Sequence, residues 1–201
     1  MPNQNSQQRQ GDRLVIGITG RIGAGKTSVG KYLESQHGFS YVRYSQVLSD
    51  WRAKDPESKA HLQVVGWEVM VGGMQAELNS RLISEVPAES NCAVDGLRHI
   101  LDFESLNGAF SPHFFLVYVN SPPEMRWRRL LRRYPTLEDF RRADSHPVEQ
   151  QIESLQGLAF ASIDNQSSME NLYSAVDNVL VRIRTGGPKC CLLYTSDAAD
   201  E

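Results

Sequence analysis

The run Gly20-Arg21-Ile22-Gly23-Ala24-Gly25-Lys26-Thr27 fits G-x-x-x-x-G-K-[ST] without a mismatch. Each fixed position answers a demand of phosphate chemistry. Glycines let the chain wrap until consecutive backbone N–H groups converge on one oxyanion. A helix opening near Lys26 adds the positive end of its dipole to the same point. Lys26 supplies a point charge to the outer phosphates, and the Thr27 hydroxyl is a hard oxygen suited to magnesium. So short a pattern also arises by accident, and the flanks decide between the two. Arg13-Leu-Val-Ile-Gly-Ile-Thr19 is an apolar run of the kind a buried central strand needs. Val29, Tyr32 and Leu33 then fall at i, i+3 and i+4, which is helical spacing. Strand, glycine loop and helix are the context the motif requires.

The same alternation continues along the chain. Phe39 to Tyr44 reads as a second strand, and Ser45 as the cap of a helix carrying Val47, Leu48 and Trp51. Lys54 to Lys59 is a polar loop, followed by helices over Leu62–Val71 and Met74–Val86 on either side of Gly72-Gly73. Asn91 to Asp95 is a third strand ending in an acid, and His113 to Asn120 a fourth. Pro122-Pro123 opens a basic helix running to Arg133, which Tyr134-Pro135 breaks. Helical segments start at Leu137 and at Pro147, and Ala159 to Asp164 is the last strand. Met169, Leu172, Tyr173, Val176, Val179, Leu180 and Ile183 make an amphipathic stripe on the closing helix. Strands alternating with helices predict a parallel sheet covered on both faces.

Composition sets the outer limits. A chain of 201 residues, 40% hydrophobic and 22% charged, is the size of one domain and buries a core without disulfides or a structural metal. Cys92 sits in an apolar run, where it reads as a small core residue, and Cys190 and Cys191 are adjacent. That spacing makes neither a disulfide framework nor a zinc site, so a reducing, cytoplasmic setting is expected. A net charge of -3 gives no support for a nucleic-acid surface, and no stretch is apolar and long enough to span a bilayer. Residues 1–12, rich in Gln and Asn, read as a disordered lead-in. Residues 191–201 resemble an in-frame translation of a sequencing adapter, so 187–201 are expected to be a non-native or disordered tail, which leaves open whether a further domain was lost.

Two further clusters carry chemistry. Asp95 heads D-G-L-R, placing an acid at the end of a strand, a glycine that lets a ligand approach, and Arg98 beside an anionic acceptor. The same four residues also read as a turn with a capping Asp and a surface Arg. Arg126, Arg129 and Arg133 share one face of the basic helix, with Arg128 and Arg132 beside them. Such a face stabilises the charge spread over a transferring phosphoryl group. It also fits a solvated surface or an RNA contact, and the break that follows favours a short mobile lid.

Together these motifs resemble the nucleoside-monophosphate-kinase branch of P-loop kinases, in particular dephospho-coenzyme A kinase-like and viral-type deoxynucleoside monophosphate kinases. The resemblance covers roughly Leu14 to Ile183 and extends to the strand ending Ile163-Asp164-Asn165. It implies a three-layer α/β/α P-loop NTPase over residues 13–186 with a five-stranded parallel sheet. The acceptor region would be helical, about 45–86, and the lid short, about 126–145. It implies ATP and Mg2+ as cofactors. The nucleotide would be held by Gly20, Arg21, Ile22, Gly23, Ala24, Gly25, Lys26, Thr27, Ser28, Arg126 and Asn165, with Asp164-Asn165 near the adenine. Thr27 and Asp95 would hold the metal. Lys26, Asp95, Arg98, Arg129 and Arg133 would act in transfer of the γ-phosphoryl group to a small nucleotide-like acceptor, by a monomer or homodimer. Leu62-Gln-Val-Val-Gly66 is similar to the L-Q-x-x-G of the deoxynucleotide kinases, but Lys59 and Met70 stand where their pattern has arginines. Those substitutions keep open a second reading, a nucleotide-regulated switch forming the first part of a longer protein. Asp144-Ser-His-Pro-Val-Glu149 resembles a stretch of related kinases. It also reads, more simply, as a capped helix start with Pro at the first position. Trp51, Trp67 and Trp127 read as packing residues, Trp67 lying near the acceptor region.

Overall fold

Strand β1 (Val15–Thr19) is buried along its whole length because it has a parallel partner on each side. Its residues divide by the two-residue period of a strand. Ile16 and Ile18 enter one core layer with Val29, Leu33, Val176 and Leu180, whereas Val15 enters the other with Val94, Leu82 and Leu106. The computed structural model describes residues 13–53 and 61–187, together with the backbone of 190–193. The expected lead-in at 1–12, Lys59 and residues 194–201 lie outside the described residues.

From β1 the chain runs through α1 (Lys26–His37), β2 (Ser40–Arg43), α2 (Tyr44–Arg52), α3 (Leu62–Val71) and α4 (Gln75–Glu85). It continues through β3 (Cys92–Leu97), α5 (Ile100–Phe110), β4 (Phe114–Asn120) and α6 (Pro123–Arg129). Then follow α7 (Leu137–Asp144), α8 (Pro147–Gln150), α9 (Glu153–Gln156), β5 (Ala161–Asp164), α10 (Met169–Arg184) and β6 (Cys190–Leu193). The strand order is β2-β3-β1-β4-β5-β6, every pair parallel. Helices α1 and α10 cover one face; α2, α4 and α5 cover the other. This is the three-layer α/β/α arrangement of P-loop kinases, with the five expected strands in one parallel sheet.

The sequence reading needs four corrections. Residues Cys190–Leu193, in the stretch expected to be non-native or disordered, pair in parallel with β5 as a sixth strand, since an open sheet edge offers unpaired backbone groups to any adjacent extended segment. Helix α2 starts at Tyr44 behind an extended Arg43, so Ser45 lies inside the helix and caps nothing. Strand β3 continues past Asp95: Ile18 pairs with Asp95 and Thr19 with Leu97, leaving Gly96 as a bulge. The Thr19 hydroxyl donates to the Leu97 carbonyl at 2.8 Å and fixes that end. Finally, α6 stops at Arg129, and Leu130 to Arg133 form turns in place of a further helical turn.

Candidate active site

The phosphate loop leaves β1 at Gly20 and enters α1 at Lys26. Its shape requires glycine at both ends. Gly20 and Gly25 have φ of 141° and 108°, and a Cβ on either would come within 2.2 Å of the Val119 carbonyl or 2.3 Å of the Asn165 amide nitrogen. Gly25 directly precedes α1 and has no side chain to cap it, so the first amides of that helix stay directed at the loop. Lys26 Nζ donates to the carbonyls of Gly20 at 2.6 Å and Arg21 at 3.0 Å. Burial and the nearby Arg98 guanidinium lower its pKa to about 8, against the pull of Asp95 and Glu149.

Because β3 is the direct neighbour of β1, Asp95 lies beside the start of α1. Thr27 Oγ1 donates to Asp95 Oδ2 at 3.2 Å, and the Tyr41 hydroxyl donates to the same oxygen at 2.6 Å. Burial and the Asp95 charge push the Tyr41 phenol well above its usual range, so it stays protonated and remains a donor. Asp95 and Thr27 are hard oxygen donors, a set that fits Mg2+ holding its other positions with water and phosphate oxygens. Among the described residues no group of three or more His, Cys, Asp or Glu is arranged to hold a metal.

These residues open onto one cleft of ≈ 850 Å³. One end is the loop with Lys26, Thr27, Ser28, Arg129, Arg133 and Asn165. The other end is apolar and amide-lined, with Leu48, Leu62, Gln63, Gly66, Met70, Gln75 and Leu78 from α2, α3 and α4. Arg98 also lines the cleft, paired with Glu149, which accepts from Ile22 of the loop and from Gln63 of α3. Trp67 packs edge-on against His146 and serves as a packing residue.

Of the predicted arginines, Arg129 and Arg133 reach the cleft wall and Arg126 does not. Arg126 is 2% exposed. It donates to the carbonyls of Ser121 and Ile22 and forms a two-pronged ion pair with Asp144, its Nη2 2.9 Å from Oδ2. It therefore braces the loop, its guanidinium bonded to Asp144 and two carbonyls, whereas the shared helix face suggested a side chain turned toward nucleotide. The i, i+3 rule identifies which residues share a face, but not whether that face points at ligand or at protein. Arg129 bridges both halves of the nucleotide end, donating to Ser121 Oγ at 2.9 Å and to the Asn165 carbonyl at 3.0 Å. Asn165 in turn donates to the Ala24 carbonyl at 2.8 Å.

Glu149 and Tyr41 were missed as site residues. His146 caps α8 and Pro147 opens it, as the simpler reading of that stretch expects. The four-residue helix nevertheless serves to aim Glu149 into the cleft. The likeness of this stretch to related kinases was the one signal that could have raised it.

A glycine loop between a central parallel strand and a helix, with an acid on the neighbouring strand and arginines over the opening, defines a member of the P-loop nucleoside and nucleotide kinase superfamily. The chain belongs to the family described as an AAA domain, whose model matches residues 16–149. A UPF0200 protein of Sulfurisphaera tokodaii is 26% identical over 174 residues, spanning 84% of this chain and 97% of the relative. A gluconokinase from Sinorhizobium meliloti superposes with a TM-score of 0.60 at 12% identity, covering 87% of this chain and 95% of its own. A shikimate kinase from Acinetobacter baumannii in complex with shikimate gives 0.50 at 17% identity, covering 87% and 94%. Likeness at this level of identity concerns the fold.

Proposed function

We propose that the protein is an ATP-dependent phosphotransferase that moves the γ-phosphoryl group of ATP to a small nucleotide or nucleotide-like acceptor. The observation that carries this reading is one cleft lined both by the phosphate loop with Lys26, Arg129 and Arg133 and by apolar and amide side chains of α2, α3 and α4, with Arg98 in the same wall. The loop from Gly20 to Ser28 would hold the phosphates of ATP, with Asn165 and Arg129 beyond it toward the base. Lys26 would leave its carbonyl partners for the β- and γ-oxygens. Thr27 and Asp95 would hold Mg2+, which when bound neutralises developing charge on the phosphates. Tyr41 keeps Asp95 oriented through its 2.6 Å bond. Arg98 would face the acceptor oxygen, while Arg129 and Arg133, on the lid segment about 126–145, would neutralise the equatorial oxygens. The acceptor would bind against α2, α3 and α4, the region about 45–86.

In-line transfer depends mainly on positioning and electrostatics, so such a site needs no strong base. The test is an ATP-consumption screen over nucleoside monophosphates, dephospho-coenzyme A and small phosphorylated alcohols, run beside Lys26→Ala. Acceptor-dependent turnover that the substitution abolishes supports the reading. Slow turnover unchanged by every acceptor would favour a nucleotide-regulated switch.

A further inference from the structure

Glu149 is fully buried, and the phosphate chemistry above makes no use of it. Its two oxygens are nevertheless divided among three parts of the cleft. Oε2 accepts the backbone N–H of Ile22 in the phosphate loop at 2.9 Å. Oε1 accepts from the Arg98 guanidinium at the end of β3 and from the Gln63 amide on α3 at 3.3 Å. The same Gln63 nitrogen donates to the Ala143 carbonyl at 2.9 Å, so α3 is tied to the segment that carries Glu149 as well as to its carboxylate. Helix α8 is held at its start by the His146 cap, which keeps the carboxylate aimed.

A buried charge cannot lose a partner cheaply, because the desolvated carboxylate would be left without compensation. One carboxylate shared by three elements therefore makes a displacement of any one of them felt by the other two. Ile22 belongs to the phosphate loop and Gln63 to α3, and both line the cleft together with Arg98 and Glu149. We propose that Glu149 is a positioning residue that couples the acceptor end of the cleft to the phosphate loop, so that the seating of α3 and the register of the loop are set together. The inference rests on the kinase reading for the nature of the ligands, and its test keeps the two separable.

The experiment is hydrogen exchange of the full chain with and without MgADP. In the unaltered protein MgADP is expected to slow exchange both in 20–28 and in 62–71, the latter by roughly fivefold, the lower end of ordinary coupling between sites. In Glu149→Gln the slowing at 62–71 is expected to vanish while the loop still responds. Gln63→Leu, which leaves the Glu149–Arg98 pair in place, should do the same and carries the test should the first variant fold poorly. A brace that merely stabilises the protein would raise exchange throughout and leave the response at 62–71 intact; that result in Gln63→Leu overturns the proposal. So does a loop response in the unaltered protein with none at 62–71. Absence of any response at 20–28 would bring down the kinase reading and the coupling with it.

Discussion

The two ends of the cleft are built on opposite plans. At the proposed phosphate end, eight consecutive residues form the loop, and the backbone itself would be the binding group. At the proposed acceptor end, Leu48, Gln63, Met70 and Leu78 come from three helices, and Glu149 reaches across from a fourth segment. The first plan makes function a property of local conformation; the second makes it a property of packing. The difference predicts which substitutions act on chemistry, which act on the fold, and which act on the joint between the ends.

The largest effect is expected from removing the brace behind the loop. Arg126→Ala strips the buried partner from Asp144 and should lower stability by about 3 kcal/mol, as breaking a buried pair does. Chemical denaturation measures this directly, and a loss no greater than that of an exposed arginine would place Arg126 back among the ligand contacts. Lys26→Ala comes next: it should cut ATP turnover by roughly 10²-fold while leaving the fold intact. Retained turnover in a folded variant would mean that the backbone cradle alone suffices.

Arg98→Ala should strike the other end. An increase in acceptor KM or a fall in kcat of about tenfold, with ATP affinity nearly preserved, is the pattern for a group acting between the ends. Equal loss toward both substrates would assign Arg98 to the donor side.

The smallest effect is a pH dependence at the joint. Burial raises the Glu149 carboxyl, but the Arg98 and Lys26 charges and the bonds from Arg98 and the Ile22 amide outweigh it and hold the group below its ordinary 4.5. A depressed folded value means the stabilisation is present in full above pH 4.5 and is lost as pH falls through that lower value. Asp102, raised by burial, titrates in the unaltered protein and in Glu149→Gln alike, so it cancels in their difference. The stability gap between the two proteins should therefore shrink on acidification below pH 4.5 and stay level above it until Lys26, whose pKa of about 8 Glu149 helps to raise, begins to titrate. A gap that widens in acid would show that the pairing had been assigned the wrong sign.

The same contrast accounts for what could be read in the residues alone. The order of strands and helices was legible because each leaves a periodic trace, and the loop was legible because its chemistry is contiguous. Asp95 was found because it follows an apolar run, although the Gly96 bulge that carries β3 on to Leu97 left no such trace. Tyr41 and Glu149 escaped for the opposite reason. Tyr41 meets Asp95 from 54 positions away and Glu149 meets Ile22 from 127, and no local pattern encodes which distant carboxylate a side chain will face. The burial of Arg126 was not legible because a basic residue turned inward against Asp144 has the same spacing as one turned toward solvent.

The neighbouring course of β1 and β3 has one more consequence. The separation of the strand that feeds the loop from the strand that carries Asp95 is governed by the interval between two hydrogen-bonded chains, a dimension that belongs to the peptide unit and is indifferent to side-chain identity. Mutation can replace most of the covering helices without altering that interval. A chain that shares only a quarter of its residues with another, or fewer, can thus inherit the same two strand ends side by side while the helices that cover the sheet drift freely.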